Sequence, residues 1–224
     1  MDDEATKPAA LWQRCDTVLL DMDGTLLDLA FDNWFWLEAV PRCVARARGE
    51  PQAAVRERLF AHFASKQGTL DWYCLDYWSE AVGLDLRSLK VASSHRIRYL
   101  PGARAFLQQA RASGRRLVLV TNAHSDTLAV KKGVAGLGEY FECCVSSHEI
   151  GLPKESAAFW PQLRARLGFD PQRTLFVDDS RAVLDTAAGS GLAGVVAITQ
   201  PDSRAPPRPV AGHPAVSGVS ALLD

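Results

Sequence analysis

Residues 16–25 read DTVLLDMDGT, and this stretch decides the fold. A short apolar run, Val18-Leu19-Leu20, ends on two aspartates, Asp21 and Asp23, with Gly24 and Thr25 directly beyond. Burying carboxylates beside a hydrophobic strand is unfavourable unless something compensates the charge. The strand expected here, TVLL at 17–20, is nearly continuously apolar rather than alternating, which suits a parallel strand covered on both faces. Four later runs have the same character: RLVLV at 116–120, CCVS at 143–146, TLFV at 174–177 and GVVAI at 194–198. Helical patterns separate them, over residues 102–114, 125–138, 154–168 and 180–191, although Pro161 should disturb the third. Strands alternating with helices predict an α/β fold with a doubly wound, Rossmann-like parallel sheet.

The alternation fails once. Between the first and second strands lie about ninety residues that read as helices, roughly 33–48, 52–66, 70–82 and 85–95. Trp34, Trp36, Trp72 and Trp78 all fall here. One crossover does not need so much chain, so residues 27–97 are expected to form a helical cap inserted after strand one. The core is expected from 1–26 and 98–224. From Gln200 the chain is proline-rich and aperiodic, and reads as an extended segment over the core.

Composition narrows the function. With 224 residues and 47% hydrophobic content, the chain can bury one sizeable core. A formal net charge of -1 lacks the basic excess that nucleic-acid polymers require. No apolar run approaches the roughly 18 residues of a membrane span. The acidic N-terminus has no signal-like apolar region, so a cytoplasmic location is expected. Five cysteines without zinc-type or CxxC spacing read as reduced and mostly buried.

Ligands bind at the carboxyl ends of strands in such sheets. Strand one ends on Asp21 and Asp23, strand two on Thr121 and Asn122, and strand four on Asp178 and Asp179. Lys154 follows strand three in the stretch GLPKES. Each has an ordinary explanation: turn former, helix cap or solvated lysine. Together, four carboxylates converging on one edge would repel one another and need a cation. Hard oxygen donors suit Mg²⁺.

The ordered set DMDGTL, VTN, PK and VDDS resembles the four motifs of the haloacid dehalogenase-like hydrolases, over residues 17 to about 198. Most of that superfamily are Mg²⁺-dependent phosphatases. The resemblance implies that Asp21 is the nucleophile, forming an aspartyl-phosphate, and that Asp23 is the general acid and base. It makes Thr121, the Asn122 amide and Lys154 phosphate ligands. Mg²⁺ is expected on Asp21, the Asp23 backbone carbonyl and the acidic pair, with Asp179 the better direct ligand and Asp178 direct or through water.

The cap stretches DNWFWLEAV and LDWYCLDYWSE, with TNAH and RTLFVDDS, are similar to the GMP/IMP nucleotidases within that superfamily. That implies purine nucleoside 5′-monophosphates as substrates. Asp32, Asp71 and Asp76 are candidate acceptors for the purine N1–H, and His124 stands near the site. A phosphoglycolate or phosphosugar phosphatase, or a phosphosugar mutase, is the alternative. Dehalogenase chemistry has no use for the second aspartate. A receiver domain would order its acids differently, and an inactive binding module would lack a motif residue.

Overall fold

The computed structural model describes residues 6–223, so the acidic residues 1–5 lie outside the described residues. Six parallel strands form one sheet in the order β3-β2-β1-β4-β5-β6. They are β1 (Thr17–Leu20), β2 (Arg116–Thr121), β3 (Cys143–Ser146), β4 (Thr174–Asp178), β5 (Gly194–Ile198) and β6 (Ala215–Val216). Four core helices are α1 (Pro8–Arg14), α8 (Ala103–Ala112), α9 (Ser125–Ala135) and α10 (Phe159–Leu167), and the fifth is α11 (Arg181–Ala188).

The sheet explains the continuous apolar strands. Leu19, Val118, Val120 and Phe176 pack against Phe159, Trp160 and Leu163 of α10 and Val183, Leu184 and Ala187 of α11. Their neighbours Val18, Leu20, Leu117, Leu119, Leu175 and Val177 pack on the opposite face, with Leu11 and Trp12 of α1 and Phe106 and Leu107 of α8. Successive residues point to opposite faces. Both faces are dry, so both positions must be apolar.

Between β1 and α8 runs a helical segment: α2 (Ala30–Trp34), α3 (Val40–Arg48), α4 (Gln52–Lys66), α5 (Leu70–Tyr73), α6 (Leu75–Val82) and α7 (Leu86–Ala92). A π-helical turn, Phe35–Ala39, joins α2 to α3, and the Val40 N–H donates to the Phe35 carbonyl. Pro41 follows at once; it has no N–H to continue the usual ladder, and the widened turn precedes it. The two ends of this helical segment, called the cap below, lie side by side. The Asp28 N–H donates to the Arg98 carbonyl and the Leu100 N–H to the Leu26 carbonyl, each at 2.9 Å.

Several details depart from expectation. The single helix expected over 70–82 is broken at Cys74, which adopts an extended conformation and caps α6 through Sγ, accepting the Tyr77 N–H at 3.4 Å. The helix expected from 154 begins at Phe159. Pro161 sits in its first turn, where no intrahelical acceptor awaits its missing N–H, so it disturbs nothing. The tail is more ordered than its composition suggests: β6 pairs with β5, and a 3₁₀ turn at Val219–Leu222 buries Val219 and Leu222.

Candidate active site

In-register pairing aligns the strand ends. Leu20 stands opposite Leu119 of β2 and Val177 of β4, and the Asp21 N–H donates to the Val177 carbonyl at 3.0 Å. One residue further on, Asp21 and Asp178 leave adjacent strands about 4.8 Å apart. Lys154 lies between them. Its Nζ donates to Asp21, to Asp178 Oδ2 at 2.7 Å and to the Val120 carbonyl at 3.1 Å. Lys154 is buried, and its backbone N–H donates to Asn122 Oδ1 at 2.9 Å, which ties the β3 loop to the end of β2. Thr121 Oγ1 accepts the Ala123 N–H at 3.0 Å. Gly24 turns the chain away with φ +84°, and a Cβ there would lie 2.7 Å from the Asp179 carboxyl carbon. Only glycine fits both the conformation and the space.

Asp21, Asp178 and Asp179 each place one oxygen within 4.8 Å of the others. Burial pushes the Asp21 carboxyl well above its ordinary range, and Asp178, Asp179 and Asp23 add to the shift against the pull of Lys154. Burial and repulsion from Asp178 push Asp179 up to about 7, even though Arg208 from the C-terminal segment donates to its carboxylate and to its backbone carbonyl. These acids therefore hold more negative charge than Lys154 and Arg208 neutralise comfortably. A cluster of hard oxygen donors short of positive charge fits Mg²⁺.

Asp23 belongs to a second buried network, which the sequence did not reveal. Lys131 Nζ on α9 bridges Asp23 Oδ1 at 2.6 Å and Asp32 Oδ2 at 2.5 Å. Lys90 on α7 donates to Asp32 Oδ1 at 3.3 Å and lies 4.6 Å from the Phe35 ring centroid. Lys131 and Lys90 are each 1% exposed. Burial raises the Asp23 carboxyl despite Lys131. Burial also works against Asp32, yet Lys131 and Lys90 together hold it below the usual range. A signal did exist: Lys131 follows buried Thr127 and Leu128 on one face of α9, and Lys90 follows buried Leu86 at i+4. A lysine on an apolar stripe needs a buried acid. Arg208 gave no such signal, because its segment has no period.

All seven sequence-designated residues, Asp21, Asp23, Thr121, Asn122, Lys154, Asp178 and Asp179, line one cavity of about 630 Å³. Its far wall comes from the cap and includes Trp36, Phe63, Trp72 and Trp78. These rings pack edge to face, with Phe63 and Trp78 centroids 4.8 Å apart and Trp36 and Phe63 5.9 Å apart. Trp34 is not in this wall; its ring lies under the Arg96 guanidinium at 4.0 Å. Asp32 lines the cavity, whereas Asp71 pairs with Lys66 at 2.8 Å and Asp76 is largely exposed, 3.6 Å from His124 Nε2. His124 caps α9, its Nδ1 accepting the Asp126 N–H at 3.4 Å. Cap and core also meet through the Tyr73 hydroxyl, which donates to Glu155, while Asn122 Nδ2 donates to the other Glu155 oxygen at 2.8 Å.

Residues 15–191 match the haloacid dehalogenase-like hydrolase family. The chain is 41% identical over 212 residues to the GMP/IMP nucleotidase YrfG of Escherichia coli (strain K12), covering 95% of this chain and 96% of that protein. It is 27% identical over 225 residues to a plasmid-encoded phosphoglycolate phosphatase of Cupriavidus necator, covering 94% and 89% of the two chains. Among solved structures, a HAD phosphatase from Thermococcus onnurineus superposes with a TM-score of 0.78 at 22% identity, covering 92% of this chain and 95% of that one. Among the described residues, no helix is long and apolar enough to cross a membrane.

Proposed function

The chain belongs to the haloacid dehalogenase-like hydrolases and is a phosphoric monoester hydrolase; from that premise we propose that it hydrolyses purine nucleoside 5′-monophosphates, GMP and IMP ahead of AMP, with Mg²⁺. The observation that carries this reading is the 41% identity to a GMP/IMP nucleotidase across 95% of the chain, cap included. A cavity running from Asp21 to an aromatic cap wall supports it. So does its volume, which lies within the range of small-ligand sites, about 300–1,000 Å³.

In this mechanism an Asp21 oxygen attacks phosphorus as the bond to the 5′ oxygen breaks, giving an aspartyl-phosphate. Asp23 gives its proton to the departing oxygen. Burial raises its pKa against the pull of Lys131, which is the direction a proton donor needs. Asp23 then takes a proton from the water that attacks the intermediate, and Asp21 is regenerated. Lys154 holds Asp21 in place and offers its charge to the phosphate. Thr121 and the Asn122 amide, both lining the cavity, bind phosphate oxygens. Asp21, Asp178, Asp179 and the Asp23 carbonyl would hold Mg²⁺, with Asp179 favoured over Asp178 as a direct ligand because Asp178 already accepts from Lys154 and from the Ser180 N–H at 2.7 Å. Bound there, Mg²⁺ supplies positive charge against the approach of a carboxylate to a phosphate dianion.

The Lys131 bridge leaves the Asp23 and Asp32 oxygens no more than about 5 Å apart. With Asp23 at the 5′ oxygen, Asp32 stands beside the ribose. The purine then lies against Trp36 and Trp72, the partly buried members of the aromatic wall. The test is kcat/KM for GMP, IMP, AMP, CMP, UMP, phosphoglycolate and phosphosugars, with Mg²⁺ and with excess EDTA. GMP and IMP should lead, and AMP should trail by about 5- to 150-fold through an unpaired polar group. EDTA should remove turnover. A phosphosugar or phosphoglycolate ahead of GMP by about tenfold, some 1.4 kcal/mol, refutes the nucleotide reading. Turnover undiminished in EDTA refutes the metal.

A further inference from the structure

A second group of donor side chains lies outside the carboxylate site, across the junction of cap and core. Cys74 separates α5 from α6 in the cap. His124 precedes α9, and His148 lies in the turn that follows β3. One donor atom of each lies within 4.8 Å of the others. The two imidazole rings meet edge to face, 5.0 Å between centroids. Asp76, two residues after Cys74, brings Oδ2 to 3.6 Å from His124 Nε2.

An independent observation points to a ligand. His148 Nε2 is buried and has no hydrogen-bond partner. A buried imidazole nitrogen without a partner is unfavourable unless its lone pair is taken up. Cys74 Sγ already accepts the Tyr77 N–H at 3.4 Å, a bond that strengthens when the sulfur carries charge. His124 has a carboxylate behind it as well: Asp126 Oδ2 lies 4.0 Å from Nδ1. Coordination through Nε2 requires the ring proton to move to Nδ1, so the 3.4 Å bond from the Asp126 N–H gives way to donation from Nδ1 to the Asp126 carboxylate, the usual support for a ligating histidine.

We propose that Cys74, His124 and His148, with Asp76 as fourth donor, form a transition-metal site of the Zn²⁺ class that joins the cap to the core. One thiolate, two imidazoles and one carboxylate are borderline-soft donors, unlike the all-oxygen cluster at Asp21, Asp178 and Asp179. Tetrahedral Zn–S and Zn–N bonds set donor separations of about 3.3–3.7 Å, so donors that lie within 4.8 Å of one another close by at most about 1.5 Å. Asp76, largely exposed, is free to turn inward. Binding releases the Cys74 thiol proton to solvent. Because Cys74 and Asp76 belong to the cap and both histidines to the core, the ion fastens the cap next to the Tyr73–Glu155 contact.

The full-length chain, reduced and held in excess Mg²⁺ to fill the oxygen cluster, is titrated with Co²⁺. Expected are tetrahedral visible bands and a near-ultraviolet thiolate-to-metal band, saturating at about one Co²⁺ per chain. Zn²⁺ should displace the Co²⁺ and Mg²⁺ should not. Cys74→Ser should abolish the thiolate band, and His148→Gln should weaken binding about tenfold or more. No thiolate band in the wild type, or the same band in Cys74→Ser, overturns the site. Should either variant fail to fold, wild-type alkylation decides. Zn²⁺ should protect Cys74, but not Cys43, from iodoacetamide, and equal labelling of Cys74 with and without Zn²⁺ overturns the proposal.

Discussion

Replacing Lys131 with Met removes the cation shared by Asp23 and Asp32 while nearly keeping the side-chain volume. Lys131 is 1% exposed, and the two carboxylates it bridges are 21% and 15% exposed. Lys90 then remains as the only cation in contact with Asp32, at 3.3 Å, and Asp23 keeps none within ion-pair distance among the described residues. Breaking a buried ion pair costs about 3–5 kcal/mol, because the partner charge stays behind. At about 2–4 °C per kcal/mol for a chain of this size, Tm should fall by roughly 6–20 °C. The loss has a definite pH dependence. Asp32's carboxyl is held below its unfolded value, so its stabilising contribution is present above that value and disappears as pH falls through the folded one. Lys131's pKa is raised despite burial, by Asp23 and Asp32, so its contribution is present throughout the neutral range. In the variant, burial is less opposed, both carboxyls rise, and protonation at low pH relieves the uncompensated charge. The Tm gap between wild type and Lys131→Met should therefore be wider near pH 8 than near pH 5. Adding Asp32→Asn should recover part of the loss in the variant but destabilise the wild type, a coupling of about 0.5–3 kcal/mol. Calorimetry of the four proteins at both pH values provides the check. A Tm shift under about 2 °C at pH 8, or additive effects of the two substitutions, refutes the view that this bridge is a stabilising unit.

Two further expectations follow from the site. Asp21→Asn is nearly isosteric and should fold, yet lose roughly 10⁴-fold or more in kcat with any substrate; appreciable turnover by a correctly folded variant would exclude Asp21 as nucleophile. Gly24→Ala combines a φ of +84° with a Cβ 2.7 Å from the Asp179 carboxyl carbon, so it should cost at least about 1–2 kcal/mol and weaken Mg²⁺ binding measured by calorimetry; unchanged stability and metal affinity would show that the turn is less constrained than its geometry implies.

Much of the sheet was legible because local sequence and long-range structure agree there. The strand runs at 17–20, 143–146 and 194–198 match β1, β3 and β5 end for end, and those at 116–120 and 174–177 stop one residue short of β2 and β4. A parallel strand covered on both faces must be apolar at every position, so it announces itself without its neighbours. The catalytic candidates were legible for a related reason. Polar residues at the end of an apolar strand are costly unless they share a ligand, and the sheet brings those ends together whatever the helices do. The π turn before Pro41 and the break at Cys74 were not legible, since each is a local adjustment inside a segment whose composition is helical throughout.

Sequence by itself therefore determined the strand-helix alternation, the long helical interruption, the six polar residues at or just beyond the strand ends, and Lys154 in the loop after β3. Tertiary structure alone decided which charges meet. Lys131 reaches Asp23 across 108 positions, and Arg208 reaches Asp179 from a proline-rich segment without periodicity. Of four cap tryptophans, three line the cavity and Trp34 does not. Periodicity records which face of an element is buried, and that is a property of the neighbouring residues. The partner of a buried charge depends on how separate elements pack, and no local pattern carries it.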